Sequence, residues 1–160
     1  MKFLMKIKLI LIAFCVSIFP KVSHANKAFV TNEKDNTVSV LDVKKMKVIN
    51  TVKVGQRPRG IIISNDGKLV LICASDDDRV EVRDVETMKL KYILPSGPDP
   101  ELMVLSPDDS VLYIANEDDA MVTVVDMADK MIIDDIPVGV EPEGMGLNNN
   151  GKVLVLSLIH

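Results

Sequence analysis

Apolar and polar positions along this 160-residue chain change in short runs, without the 3.6-residue spacing of helices. Val80-Glu81-Val82-Arg83 alternates residue by residue, which predicts a strand with one wet face. Before it, Gly60-Ile61-Ile62-Ile63 and Leu69 to Ala74 read as strands joined by the turn residues Asn65-Asp66-Gly67. After it, Lys89 to Leu94 completes a group of four.

The same succession returns 42 residues on. Leu102-Met103-Val104, Leu112 to Ala115, Val122 to Val125 and Met131 to Ile136 repeat it, and Gly144 to Leu147 with Val153-Leu154-Val155 open a further round. Upstream, Ala28-Phe29-Val30, Thr37 to Leu41 and Val48 to Val52 match its second, third and fourth strands. Asp42, Asp84 and Asp126 fall into register, as do Gly55, Gly97 and Gly139, and Pro58, Pro100 and Pro142. A repeat of this length built from short strands predicts an all-β fold, a β-propeller of four-stranded antiparallel blades. The blades run at about 27–55, 58–97, 100–139 and 142–160. About three blades of an expected seven are present, so the ring is incomplete, and Leu158-Ile159-His160 stands where the repeat calls for Asn116-Glu117-Asp118. An opening blade that starts at its second strand implies a first strand supplied from further along the chain.

Residues 1–25 have another character. Lys2, Lys6 and Lys8 precede the apolar run Leu9 to Phe19, and Ser23-His24-Ala25 leads into Asn26. This is the pattern of a secretory signal peptide cleaved after Ala25, and the run falls short of the roughly 18 residues that a spanning helix needs. The mature protein is then periplasmic or secreted, with no membrane attachment. Cleavage takes the formal charge from −4 to −8, a balance that disfavours nucleic acid. Cys73, the one cysteine beyond the signal, lies in an apolar run and is expected to be an inert core thiol.

Candidate chemistry gathers at the repeated prolines. Arg57 and Arg59 flank Pro58, Asp99 and Glu101 flank Pro100, and Glu141 and Glu143 flank Pro142. Successive blades would set these six at the mouth of a central channel, either as a polar binding site or as ion pairs linking blades. Asp76, Asp78, Asp118 and Asp119 offer carboxylates that Ca²⁺ could use, but without the spacing of an EF-hand loop, and a solvated acidic loop is the favoured reading. Asp42, Asp84 and Asp126 read as turn-building carboxylates. Only His160 remains as a histidine after cleavage, so neither a histidine-based metal site nor a Ser-His-Asp triad can be assembled, and no catalytic residue is assigned.

Phe29-Val30-Thr31-Asn32 and Tyr113-Ile114-Ala115-Asn116 resemble the strand motif of the YVTN-type β-propeller repeat family. The strings VGQRPRGI (54–61), CASDDD (73–78), LPSGPDPEL (94–102), YIANEDD (113–119) and VGVEPEGMG (138–146) resemble one subfamily, the PQQ-dependent catabolism-associated β-propeller proteins. The resemblance covers about residues 27 to 157. It implies a secreted, non-catalytic binding or scaffold protein with a protein partner, such as a quinoprotein dehydrogenase, a cytochrome or a transporter component. PQQ enters by pathway association only, with no cofactor bound directly. The chain has no tryptophan, and so lacks the docking motifs of PQQ-binding dehydrogenase propellers. The same repeat resembles the propeller of lactonases, which would give Arg57, Arg59, Glu101 and Glu143 a hydrolytic role. A surface adhesion module is a third reading.

Overall fold

A computed structural model describes residues 26–158, the side chain of Glu143 excepted. The expected signal peptide and its cleavage after Ala25 lie outside the described residues, as does His160. Thirteen strands are described, in four antiparallel sheets in which each strand pairs with its neighbour in sequence. The first sheet holds β1 (Lys27–Asn32), β2 (Thr37–Asp42) and β3 (Lys47–Lys53). The second holds β4 (Pro58–Ile63), β5 (Leu69–Ala74), β6 (Arg79–Asp84) and β7 (Leu90–Pro95), and the third β8 (Pro100–Leu105), β9 (Val111–Asn116), β10 (Met121–Asp126) and β11 (Met131–Pro137). The fourth is the pair β12 (Pro142–Leu147) and β13 (Leu154–Leu158). These are the blades of an incomplete β-propeller, with β8 lying between β4 and β12. Among the described residues no helix is long and apolar enough to cross a membrane.

The 42-residue period is carried by the backbone as well as the sequence. Each fourth strand has a bulge at the same place, where Ile49, Lys91 and Ile133 are the extra residues opposite Val40–Leu41, Val82–Arg83 and Val124–Val125 of the third strand. A bulge adds one residue and bends the strand, so these irregularities give each blade the same twist. Each third strand ends in the predicted aspartate turn. Asp42 accepts the N–H of Lys45, Asp84 those of Glu86 and Thr87, and Asp126 those of Ala128 and Asp129. The backbone N–H of Lys45 holds the Asp42 carboxyl below its ordinary range, and that of Thr87 does the same for Asp84.

The core fills the spaces between blades. Val38, Val40, Val70, Ile72 and Met88 pack between the first and second sheets. Leu71, Cys73, Val80, Val82 and Leu94 meet Met103, Leu105, Leu112, Ile114 and Val125 between the second and third. Cys73 is fully buried, and burial pushes its thiol up, as expected of an inert core cysteine.

One expectation is corrected. The polar face of β6 is not wet, for Glu81 and Arg83 are 3% and 8% exposed. Glu81 accepts from Arg83 Nε and Nη2 at 2.9 and 2.7 Å, and Arg83 Nη1 donates to the Met88 carbonyl at 2.9 Å. A propeller blade has a neighbour on each side, so its polar face is also covered, and buried charges there pair with each other. At Leu158 the residue pattern departs from the repeat while the strand pairing continues. Leu158 pairs with Pro142 as Asn116 pairs with Pro100.

Candidate functional site

The loops leading from a fourth strand to the next first strand share a face of the molecule with the loops after the second strands. Arg57, Asp99 and Glu141 occupy one repeat position there, and all three adopt left-handed backbone, at φ 47°, 50° and 52°. Side chains other than glycine, asparagine and aspartate enter this region at a cost. Two of the three residues are held in it from the preceding blade. Asn36 Oδ1 accepts the Arg57 N–H at 2.9 Å, and Asp78 Oδ1 accepts the Asp99 N–H at 3.0 Å. Ala120 takes the equivalent place before Glu141, is itself left-handed at φ 54°, and has no side-chain acceptor. Ala120→Asn is therefore expected to relieve strain and supply the missing acceptor, stabilising the chain by about 1 kcal/mol in urea unfolding.

Four of the six rim candidates meet across blades. Arg57 Nη2 lies 2.8 Å from Glu101 Oε1 and 3.0 Å from Asp99 Oδ1, and Arg59 Nε lies 2.5 Å from Glu101 Oε2. Glu101 thus bridges two guanidinium groups with a side chain only 3% exposed. Burial pushes its carboxyl up, outweighing Arg59. Burial also pulls on Arg57, but bonds to Asp99 and Asp76 outweigh it and hold the guanidinium above its ordinary value. Glu141 is exposed and has no ion pair among the described residues. The Glu143 side chain lies outside them.

Three further carboxylates belong to the cluster. Asp76 Oδ1 is 3.3 Å from Arg57 Nη1, and Glu33 Oε1 is 3.5 Å from both Arg57 Nε and Arg59 Nη1. Glu117 brings an oxygen into a group, with Asp99 and Glu101, whose atoms all lie within 4.8 Å of one another. Sequence reasoning passed over Glu33 and assigned Glu117 only to an acidic loop, although both share one repeat position on the signal that aligned the prolines. The four suggested Ca²⁺ residues are not brought together in one place. Asp76 pairs with Arg57, Asp78 caps Asp99, and Asp119 accepts the Met121 N–H at 3.2 Å.

Beside this cluster lies an open pocket of about 350 Å³, lined by Thr31, Glu33, Arg59, Gly60, Glu101 and Leu102 among others. The Thr31 hydroxyl donates to the Arg59 carbonyl at 3.0 Å, tying the first blade to the second. Arg59 Nη2 has no protein partner among the described residues and is available to an acceptor in the pocket. The site thus offers one guanidinium edge between two carboxylates.

This architecture recurs in solved structures. The chain is similar to Kuenenia stuttgartiensis hydrazine synthase, with a TM-score of 0.77 and 24% identity over 83% of this chain and 39% of that one. The match to the dihydro-heme d1 dehydrogenase NirN has a TM-score of 0.59 and 22% identity, over 70% of this chain and 24% of that one. A functionally unknown protein from Desulfotomaculum acetoxidans DSM 771 matches with a TM-score of 0.66 and 18% identity, over 76% and 41% of the two chains. The shared property is the fold. The chain spans about two fifths, or less, of the length of these neighbours. No family model matches the sequence, and no curated protein matches it either. Similarity at this level carries the propeller and no activity.

Proposed function

We propose that this chain acts as a non-catalytic binding or scaffold propeller of the periplasm or the cell exterior, beside a PQQ-dependent alcohol oxidation system. The compartment rests on the N-terminal pattern, and the pathway on the resemblance of the loop strings at 54–61, 73–78, 94–102, 113–119 and 138–146. The observation that carries the binding role is the rim itself, where both arginines are held by carboxylates from neighbouring blades while Arg59 keeps one edge toward a pocket. Such a preorganised charged rim suits docking of a protein surface.

A hydrolytic second reading has one observation in its favour. Glu101 combines a raised carboxyl with an adjacent guanidinium at a pocket wall, a pairing that could protonate or orient a lactone. Against it stands the double engagement of Glu101 by Arg57 and Arg59, which leaves neither oxygen free.

The test is retention of a purified quinoprotein dehydrogenase on the immobilised chain. Retention is expected, with Arg59→Glu weakening it about tenfold, equivalent to about 1.4 kcal/mol. Failure of retention overturns the scaffold role. Lactone turnover that Glu101→Gln abolishes would replace it with hydrolysis.

A further inference from the structure

Five of the large apolar side chains that the fold leaves exposed lie on two faces, one at each end of the row of sheets: Val30, Val43 and Met46 on the first sheet, Val153 and Val155 on the fourth. The sheets join in series, β1 against β4, β4 against β8 and β8 against β12. The first sheet therefore has one face without a blade, and so has the fourth.

The 42-residue repeat shows what these faces are built for. Val30 is 46% exposed, whereas its equivalents Ile72 and Ile114, each on the side that meets the preceding blade, are fully buried. Met46 is 83% exposed, and its equivalent Met88 is buried between the first and second sheets. Val43 is open too, while its equivalents Val85 and Met127 pack against the two inter-blade cores.

The other end of the row shows the opposite side of a blade. Val155 is 61% exposed, and its equivalent Leu71 is fully buried where the second sheet meets the third. Val153 is exposed beside it, and its equivalent Leu69 packs against that same core. The first sheet thus presents the side that receives a preceding blade, and the fourth the side that receives a following one. Both are continuations of the interface that joins the blades within the chain.

We propose that the chain forms a head-to-tail homodimer in which the fourth sheet of each copy stacks on the first sheet of the other, closing a ring of eight sheets. A second copy brings to each open face the apolar blade side that it lacks, and association removes both from water. A contact between two unlike patches either closes into a ring or grows into an open array. With four sheets in each copy, the size of known propellers selects closure at two, since four to eight blades are usual and a third copy would exceed that range. The two faces lie apart from the arginine rim, and the dimer is independent of the docking role proposed above.

Light scattering on the full chain after gel filtration is expected to give twice the mass of one chain. Val30→Asp and Val155→Asp change exposed side chains, so each variant should keep the circular dichroism spectrum of the parent. Each should raise the dissociation constant of the dimer about a hundredfold, because both junctions then bury an unpaired carboxylate. Mixing the two variants should restore an association that neither shows alone, since one junction of the mixed dimer carries no substitution. Met131→Asp, at an exposed apolar position of the outer strand β11, should leave the dimer intact. A monomer at every concentration overturns the proposal, whether the faces stay bare or another part of the chain covers them. A dimer that either face variant leaves unchanged overturns it, as does a mixture that fails to associate or equal loss in Met131→Asp. Growth beyond two copies overturns it as well, because the contact would then not close.

Discussion

Gly60→Ala is expected to destabilise the chain by about 3 kcal/mol and to lower its melting temperature by about 10 °C. The added Cβ would stand 2.5 Å from the Glu101 carbonyl oxygen, 3.1 Å from Leu102 Cα and 3.4 Å from Cys73 Sγ. Two of these neighbours are backbone of β8, so no side-chain rotation makes room, and the strand itself has to retreat. The loss is therefore one of blade-to-blade fit rather than of backbone freedom. Gly146→Ala is the control. Its Cβ would meet nothing within 4 Å, and removing a glycine from a strand restricts the unfolded chain, so the change should be neutral or slightly stabilising. Urea unfolding of the two variants beside the parent chain separates the outcomes. Equal behaviour of both would mean that β4 and β8 do not approach as closely as described.

Much of this architecture was legible because each blade repeats one pattern of apolar runs without insertions. Strand β5 matches its expected span Leu69 to Ala74, and β7, expected at Lys89 to Leu94, is displaced by a single residue. The rim pairs were legible for the same reason. Arg57 reaches Asp99 and Arg59 reaches Glu101, each 42 residues away, because equivalent positions in adjacent blades sit side by side. Two things were not legible. Alternation along β6 shows which face is apolar, but not whether a second sheet covers the polar face, and so the pattern alone predicts a wet Glu81 and Arg83. Nor does composition reveal left-handed backbone at Met46, Arg57, Ala120 and Lys130. None of these is a residue that seeks that region, and the repeat of the fold imposes it on whatever the sequence supplies.

Glu101→Leu is expected to cost about 3 kcal/mol, near the low end for breaking a buried ion pair by removing one partner. The full cost is not expected because the stranded arginines are 29% and 34% exposed and can lean on Asp99, Asp76 and Glu33. A structural pair and a functional one predict different companions to this result. If Glu101 serves mainly to hold the blades, adding Arg59→Met should recover part of the loss, since apolar replacement of both members of a buried pair is often neutral. Glu101 also carries a pH signature of definite sign. Its carboxyl is raised in the fold, so keeping it charged opposes folding above the folded pKa, and the parent chain regains that increment as pH falls through it. Glu101→Gln lacks the titration, and the gap in unfolding free energy between it and the parent should therefore change between pH 7 and pH 4. A gap independent of pH would show that the two guanidinium groups, and not burial, set the charge state of Glu101.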